Sequence, residues 1–151
     1  MQVFNNFISN KAVFRVLTPE QFALADRFYR AQGYKLKCAV TERVYVLVDE
    51  QADFIAAVRL LPQASGHFWL RNLLVVKAWR GRGLAKHILR SLLRDIAPQG
   101  CYFFALPHLT EFYLALDFTI DPEHCPDDIL RLHQTYRARG RDWVLMGYCP
   151  V

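Results

Sequence analysis

No apolar run in the 151 residues approaches the roughly 20 needed to cross a bilayer. No basic amphipathic segment with an exposed aromatic face stands out either, so no membrane partner is expected. The opening Met1-Gln2-Val3-Phe4-Asn5-Asn6-Phe7 lacks the basic region, apolar block and small-residue cleavage site of a secretory leader. A cytoplasmic location is expected. Internal repeats, low-complexity tracts and Gly/Ser/Pro-rich linkers are also missing, so nothing marks a domain boundary and residues 1–151 read as one domain. Cys38, Cys101, Cys125 and Cys149 are far apart, with neither CxxC nor Cys/His zinc spacing. Buried or inert thiols and no metal are expected.

What is present is an ordinary globular composition. A hydrophobic content of 53% and a charged content of 22% exclude the disordered and fibrous classes. The formal charge of +5 suits an anionic ligand. It does not by itself imply nucleic acid, and no recognition motif for nucleic acid is seen.

After a strand at Ala12–Leu17, Thr18-Pro19-Glu20-Gln21 offers a cap, a Pro in the first turn and a capping-box partner for a helix from Pro19 to about Gln32. Its apolar face is Phe22, Ala25, Phe28 and Tyr29, and Gly33 is placed to end it. Arg43–Val48 and Phe54–Leu61 read as a hairpin around an acidic turn, and His67–Val76 as a third strand. Leu84, Ile88, Leu89, Leu92, Leu93 and Ile96 have helical spacing, and Cys101–Leu106 reads as a buried strand parallel to the third. His108–Leu116 predicts a short, mostly buried helix, Asp127–Ala138 a last helix and Trp143–Tyr148 a final strand. The fold class is therefore α/β or α+β, with a mixed, mostly antiparallel sheet flanked by helices. An exposed final strand leaves a homodimer open.

The chemical centre is the strand-to-helix junction at Arg80-Gly81-Arg82-Gly83-Leu84-Ala85. Such a junction aims backbone N–H groups and a positive helix end at one point, and glycines let phosphates approach the backbone. Lys77, Arg80, Arg82, Lys86, Arg90 and Arg94 add cations, the outer two of which a solvated helix face explains. The GK[ST] ending of a P-loop and the third glycine of GxGxxG are both lacking, which disfavours nucleotide hydrolysis and dinucleotide binding.

With these residues the chain resembles the GNAT superfamily of acyl-CoA N-acyltransferases. Arg80-Gly81-Arg82-Gly83-Leu84-Ala85 fits the signature [QR]-x-x-G-x-[GA]. Phe112-Tyr113-Leu114-Ala115-Leu116-Asp117-Phe118 fits the downstream F-Y-x-x-x-G-F, with Asp117 in place of glycine. The resemblance covers roughly Ala12 to Phe118.

It implies an N-acetyltransferase that uses acetyl-CoA as co-substrate. Arg80 to Ala85 would hold the pyrophosphate, backbone groups of Leu74, Val75 and Val76 would pair with the pantetheine arm, and Tyr113 would protonate the departing sulfur. The carboxylate that many relatives carry on the third strand is missing, since Leu70-Arg71-Asn72 stands there. His67, His108 and Glu111 are the remaining base candidates, with a water relay to the backbone as the alternative. Arg59 and Arg71 stand among apolar strand residues and need anionic partners. Two readings are open: ion pairs with Glu42, Asp53 or another internal acid, or capture of the carboxylate of an amino-acid-like acceptor. A non-catalytic acyl-CoA sensor is the alternative to an enzyme.

Overall fold

Thr18-Pro19-Glu20-Gln21 starts the first helix as its residues require. In the computed structural model, which describes residues 11–150, the Thr18 N–H donates to Gln21 Oε1 at 3.0 Å, the backward reach of a capping box. Pro19–Gln21 is a 3-10 turn, and α1 proper runs over Phe22–Ala31. Phe22, Ala25 and Tyr29 are buried, as three- and four-residue spacing demands. Gly33, at φ +91°, turns the chain out of the helix.

Strand β1 (Val13–Val16) precedes α1, and β2 (Arg43–Val48), β3 (Phe54–Pro62) and β4 (Phe68–Val75) follow it. Helix α2 (Leu84–Ile96) leads to β5 (Cys101–Ala105). Helix α3 (Thr110–Leu114), strand β6 (Thr119–Ile120), helix α4 (Asp127–Ala138) and strand β7 (Val144–Tyr148) complete the order. The seven strands join one sheet in the order β1-β2-β3-β4-β5-β7-β6. The β1–β2, β2–β3, β5–β7 and β6–β7 pairs are antiparallel. The β4–β5 pair is parallel, with Phe68 opposite Cys101 and Trp69 opposite Tyr102, as a crossover through α2 requires. The expected mixed, mostly antiparallel sheet flanked by helices is present.

Two expectations need correction. The two-residue β6 pairs with β7 at Thr119↔Gly147 and Ile120↔Met146, so the final strand is not the exposed edge that a homodimer would have used. Helix α3 spans only five residues, and of these Tyr113 alone is buried. Leu109 and Leu114 are 37% and 42% exposed, because so short a helix has one face against the core. Cys38 and Cys101 are buried, Cys125 is half-buried and Cys149 is exposed, and all four thiols are free.

The chain divides into two units, Met1–Leu60 with Asn72–Leu92 and Leu61–Arg71 with Leu93–Val151. The first has a core of Leu17, Phe22, Ala25, Tyr29, Val44, Val46, Ala57 and Leu74, among others. Val44–Val48 and Ile55–Leu60 are buried without alternation, as strands covered on both faces must be. The second packs Trp69, Tyr102 and Phe104 against Ile129 of α4 and Leu145 of β7.

Burial pushes the Cys38 thiol up to about 12 and the Cys125 thiol up to about 11, and it raises the Tyr29 phenol. The folded chain therefore keeps protons that the unfolded chain gives up above pH 9 for thiols and above pH 10 for tyrosine. Stability is complete below those values and falls as pH rises past them. Fully buried Tyr29 alone withdraws about 1.4 kcal/mol per pH unit once the unfolded phenol ionises. Urea midpoints should decline progressively from pH 9 to 11, and a flat profile would contradict this assignment.

Candidate functional site

Strand β4 ends at Val75, a 3-10 turn covers Lys77–Trp79, and Arg80-Gly81-Arg82-Gly83 leads into α2. Gly81 and Gly83 stand at φ +79° and +76°, a region that side chains disfavour. A Cβ at either position would meet nothing within 4 Å. Conformation, not crowding, therefore demands glycine, and the space over the turn is open. The His87 N–H donates to the Gly83 C=O at 3.0 Å, so the N–H groups of Leu84, Ala85 and Lys86 lie in the first turn, where a helix has no acceptor for them. Arg80 Nε donates to the Val75 C=O at 2.9 Å, and the Arg82 guanidinium lies 4.6 Å from the Trp79 ring centre. Both arginines and Lys86 are exposed. N–H donors at a positive helix end, with three exposed cations beside them, form an arrangement that suits an anion. No group of metal-ligating side chains occurs among the described residues.

Backbone pairing narrows the expected strand set. The Val76 N–H donates to the Ile55 C=O and the Val76 C=O accepts from the Trp79 N–H, both at 2.9 Å. Hydrogen-bonding groups alternate sides along a strand, so Leu74 faces β3 as Val76 does. Of Leu74, Val75 and Val76, only Val75 presents its backbone to the edge of β4 away from β3, with Leu73 two residues before it.

Of the two readings open for Arg59, the structure shows the ion pair with Glu42. Arg59 Nε donates to Glu42 Oε1 at 2.8 Å and Nη2 to Oε2 at 2.9 Å, with both side chains under 10% exposed. Arg59 Nη1 also donates to Asn72 Oδ1 at 2.7 Å. Asn72 sits inside β4 at φ +58°, and its C=O accepts from the Tyr29 hydroxyl at 2.7 Å. A left-handed residue interrupts the pleat, so the two-residue alternation of Arg71, Leu73 and Val75 is broken. An asparagine inside an apolar strand is the sequence signal for this interruption.

Arg71 is placed differently. Its guanidinium lies 4.4 Å from the Trp69 ring centre and 5.7 Å from that of Tyr136, and among the described residues it has no carboxylate partner.

The Tyr113 ring is packed among Phe103, Phe112 and Phe118, with centres 4.6, 5.0 and 5.7 Å away. Burial raises its phenol well above the ordinary value near 10. No described residue hydrogen-bonds its hydroxyl, and no buried side-chain oxygen among the described residues lacks a partner. The hydroxyl therefore reaches solvent while the ring does not. Asp117 takes φ +69°, the left-handed conformation that glycine adopts most readily, so the helix end turns there without one. The Phe118 N–H closes it on the Tyr113 C=O at 3.1 Å. His67, His108 and Glu111 are all exposed, and His67 Nδ1 lies 3.1 Å from Ser65 Oγ.

The model of the acetyltransferase (GNAT) family matches residues 11–118, and the chain belongs to that family. No curated protein matches it. Among solved structures, Escherichia coli ElaA superposes with a TM-score of 0.64 at 14% identity, covering 90% of this chain and 98% of that one. A Corynebacterium glutamicum protein described as histone acetyltransferase HPA2 and related acetyltransferase gives 0.61 at 13%, over 93% and 97% of the two chains. N-acetylglutamate synthase from Neisseria gonorrhoeae, complexed with coenzyme A and N-acetyl-glutamate, gives 0.60 at 14%, over 91% of this chain and 35% of that one. Such low identities establish the shared fold. No helix among the described residues is long and apolar enough to cross a membrane.

Proposed function

We propose that the protein is an acetyl-CoA-dependent N-acetyltransferase acting on a primary amine, with residues 1–151 working as one cytoplasmic domain and without a metal. The observation that carries this reading is the pair of left-handed glycines, Gly81 and Gly83, opening the start of α2 beneath three exposed cations. In this reading the N–H groups from Gly81 to Ala85, with Arg80 and Arg82, hold the coenzyme A pyrophosphate. The Val75 N–H, with the Leu73 backbone, pairs with the pantetheine arm, while Arg80 Nε holds the Val75 C=O.

When bound, acetyl-CoA supplies an acetyl group already activated as a thioester. The protein's task is then to orient it, admit a neutral amine and protonate the sulfur. A free alkyl ammonium has a pKa of about 10 and a thiol about 8.5, so both transfers benefit from help near neutrality. Tyr113 serves as the acid: burial keeps its proton in place, and its hydroxyl is not committed to any internal acceptor. Water takes the amine proton, as His67, His108 and Glu111 are solvated.

Release of free thiol from acetyl-CoA against a library of primary amines tests the reading. Amine-dependent release is expected; acetyl-CoA binding with no release for any amine would instead favour a sensor. Gly83→Val must place a branched side chain at φ +76°, at a cost of about 1–2 kcal/mol, and should raise the KM for acetyl-CoA at least tenfold. An unchanged KM in a folded variant would remove the turn from the site.

A further inference from the structure

We propose that Arg71, Arg139 and Arg141 form an anion-recognition cluster on an aromatic platform and select acceptor amines that carry a carboxylate. The inference rests on the N-acetyltransferase reading and names the acceptor class for it.

Arg71 lies against Trp69 and Tyr136, Arg139 lies 5.9 Å from the same Tyr136 ring centre, and Arg141 lies 5.4 Å from that of Trp143. Tyr136 and Trp143 are themselves 4.8 Å apart between centres. All six residues belong to one unit of the chain. Three guanidiniums thus share one group of rings, and none has an acidic partner among the described residues.

Arg59 shows what this fold does with a guanidinium that serves structure: it sinks it and satisfies it with Glu42 and Asn72. Arg71 receives the opposite treatment. It is only half-buried, its guanidinium carbon lies over the Trp69 ring, and its N–H groups donate to no described residue. None of its nitrogens is sealed from solvent without a partner. Cation–π attraction uses none of a guanidinium's hydrogen-bonding capacity and leaves its N–H donors free to grip a carboxylate bidentately. Exposed Arg139 and Arg141 raise the local positive potential, which draws in an anion and repels polycationic amines.

The test pairs turnover with binding. Thiol release is measured for α-amino acids, ω-amino acids and short acidic peptides, each against its amide or ester. Quenching of Trp69 and Trp143 fluorescence by the same compounds reports binding without catalysis. Carboxylate-bearing acceptors are expected to exceed their neutral forms at least tenfold in kcat/KM. Arg71→Gln should reduce that preference at least tenfold, Arg71→Lys should restore part of it, and the exposed double variant Arg139→Gln/Arg141→Gln should reduce it several-fold. Arg94→Gln, on the solvated face of α2, should not alter it. Equal turnover of acids and amides, a preference for polyamines, or equal losses on both forms in Arg71→Gln would overturn the proposal. If no amine of any kind released thiol, the acetyltransferase reading would fall, and carboxylate-specific quenching abolished by Arg71→Gln would still decide whether the cluster binds anions.

Discussion

Tyr113→Phe is expected to lower kcat by about 10²- to 10⁴-fold, the usual contribution of a positioned general acid, with little change in acetyl-CoA affinity or in Tm. The separation of these effects follows from the packing. The ring contacts with Phe103, Phe112 and Phe118 survive the substitution. The deleted hydroxyl is bonded to no described residue, so the fold loses no internal hydrogen bond. Only its proton is removed. Because burial raises the phenol, the wild-type acid stays protonated throughout the neutral range. Activity should rise with pH as the acceptor amine loses its proton and show no alkaline limb from Tyr113 below about pH 10. Steady-state kinetics of the two proteins from pH 6 to 10 would check both statements, and a Phe variant within threefold of wild type would remove Tyr113 from the chemistry.

Glu42→Ala is expected to cost about 3–5 kcal/mol, the typical penalty for stripping one member from a buried ion pair, which for a chain of this size lowers Tm by roughly 6–20 °C. The Glu42 carboxylate accepts from Arg59 twice and from the Ala39 N–H at 2.9 Å, so its loss leaves a buried guanidinium and frees a loop. Arg59 in turn holds Asn72, whose left-handed backbone interrupts β4. The double variant Glu42→Leu/Arg59→Met should recover much of the stability, since apolar replacement of a whole buried pair is often neutral or better. Thermal melts of the single and double variants decide it: a single variant as stable as wild type would show that the pair is not the anchor its geometry suggests.

The reach of the sequence differed from element to element for physical reasons. Helix α2 was legible to the residue because its apolar positions, its glycine start and Pro98 are local signals. The parallel β4–β5 pair followed from a crossover helix between two apolar strands. Strand β6, two residues long, has no periodicity to detect, and its pairing is what removes β7 from the edge. Helix α3 looked buried because its residues are apolar, yet exposure depends on which faces find neighbours.

The left-handed turn at Gly81 and Gly83 was readable from residue type and spacing. The division of labour between Arg59 and Arg71 was not, because their partners Glu42, Asn72 and Tyr136 are set by tertiary packing. Nor is the direction of each backbone N–H along β4 readable from an apolar run, since strand pairing such as that of Val76 with Ile55 sets it.

Calorimetric titration of the wild-type protein with acetyl-CoA tests the central claim most directly. Saturable one-to-one binding is expected, weakened by added salt, competed by free coenzyme A and reduced at least tenfold in Gly83→Val. Absence of binding to the folded wild-type protein, or equal binding by Gly83→Val, would contradict the assignment of the Arg80–Ala85 turn as the coenzyme A site.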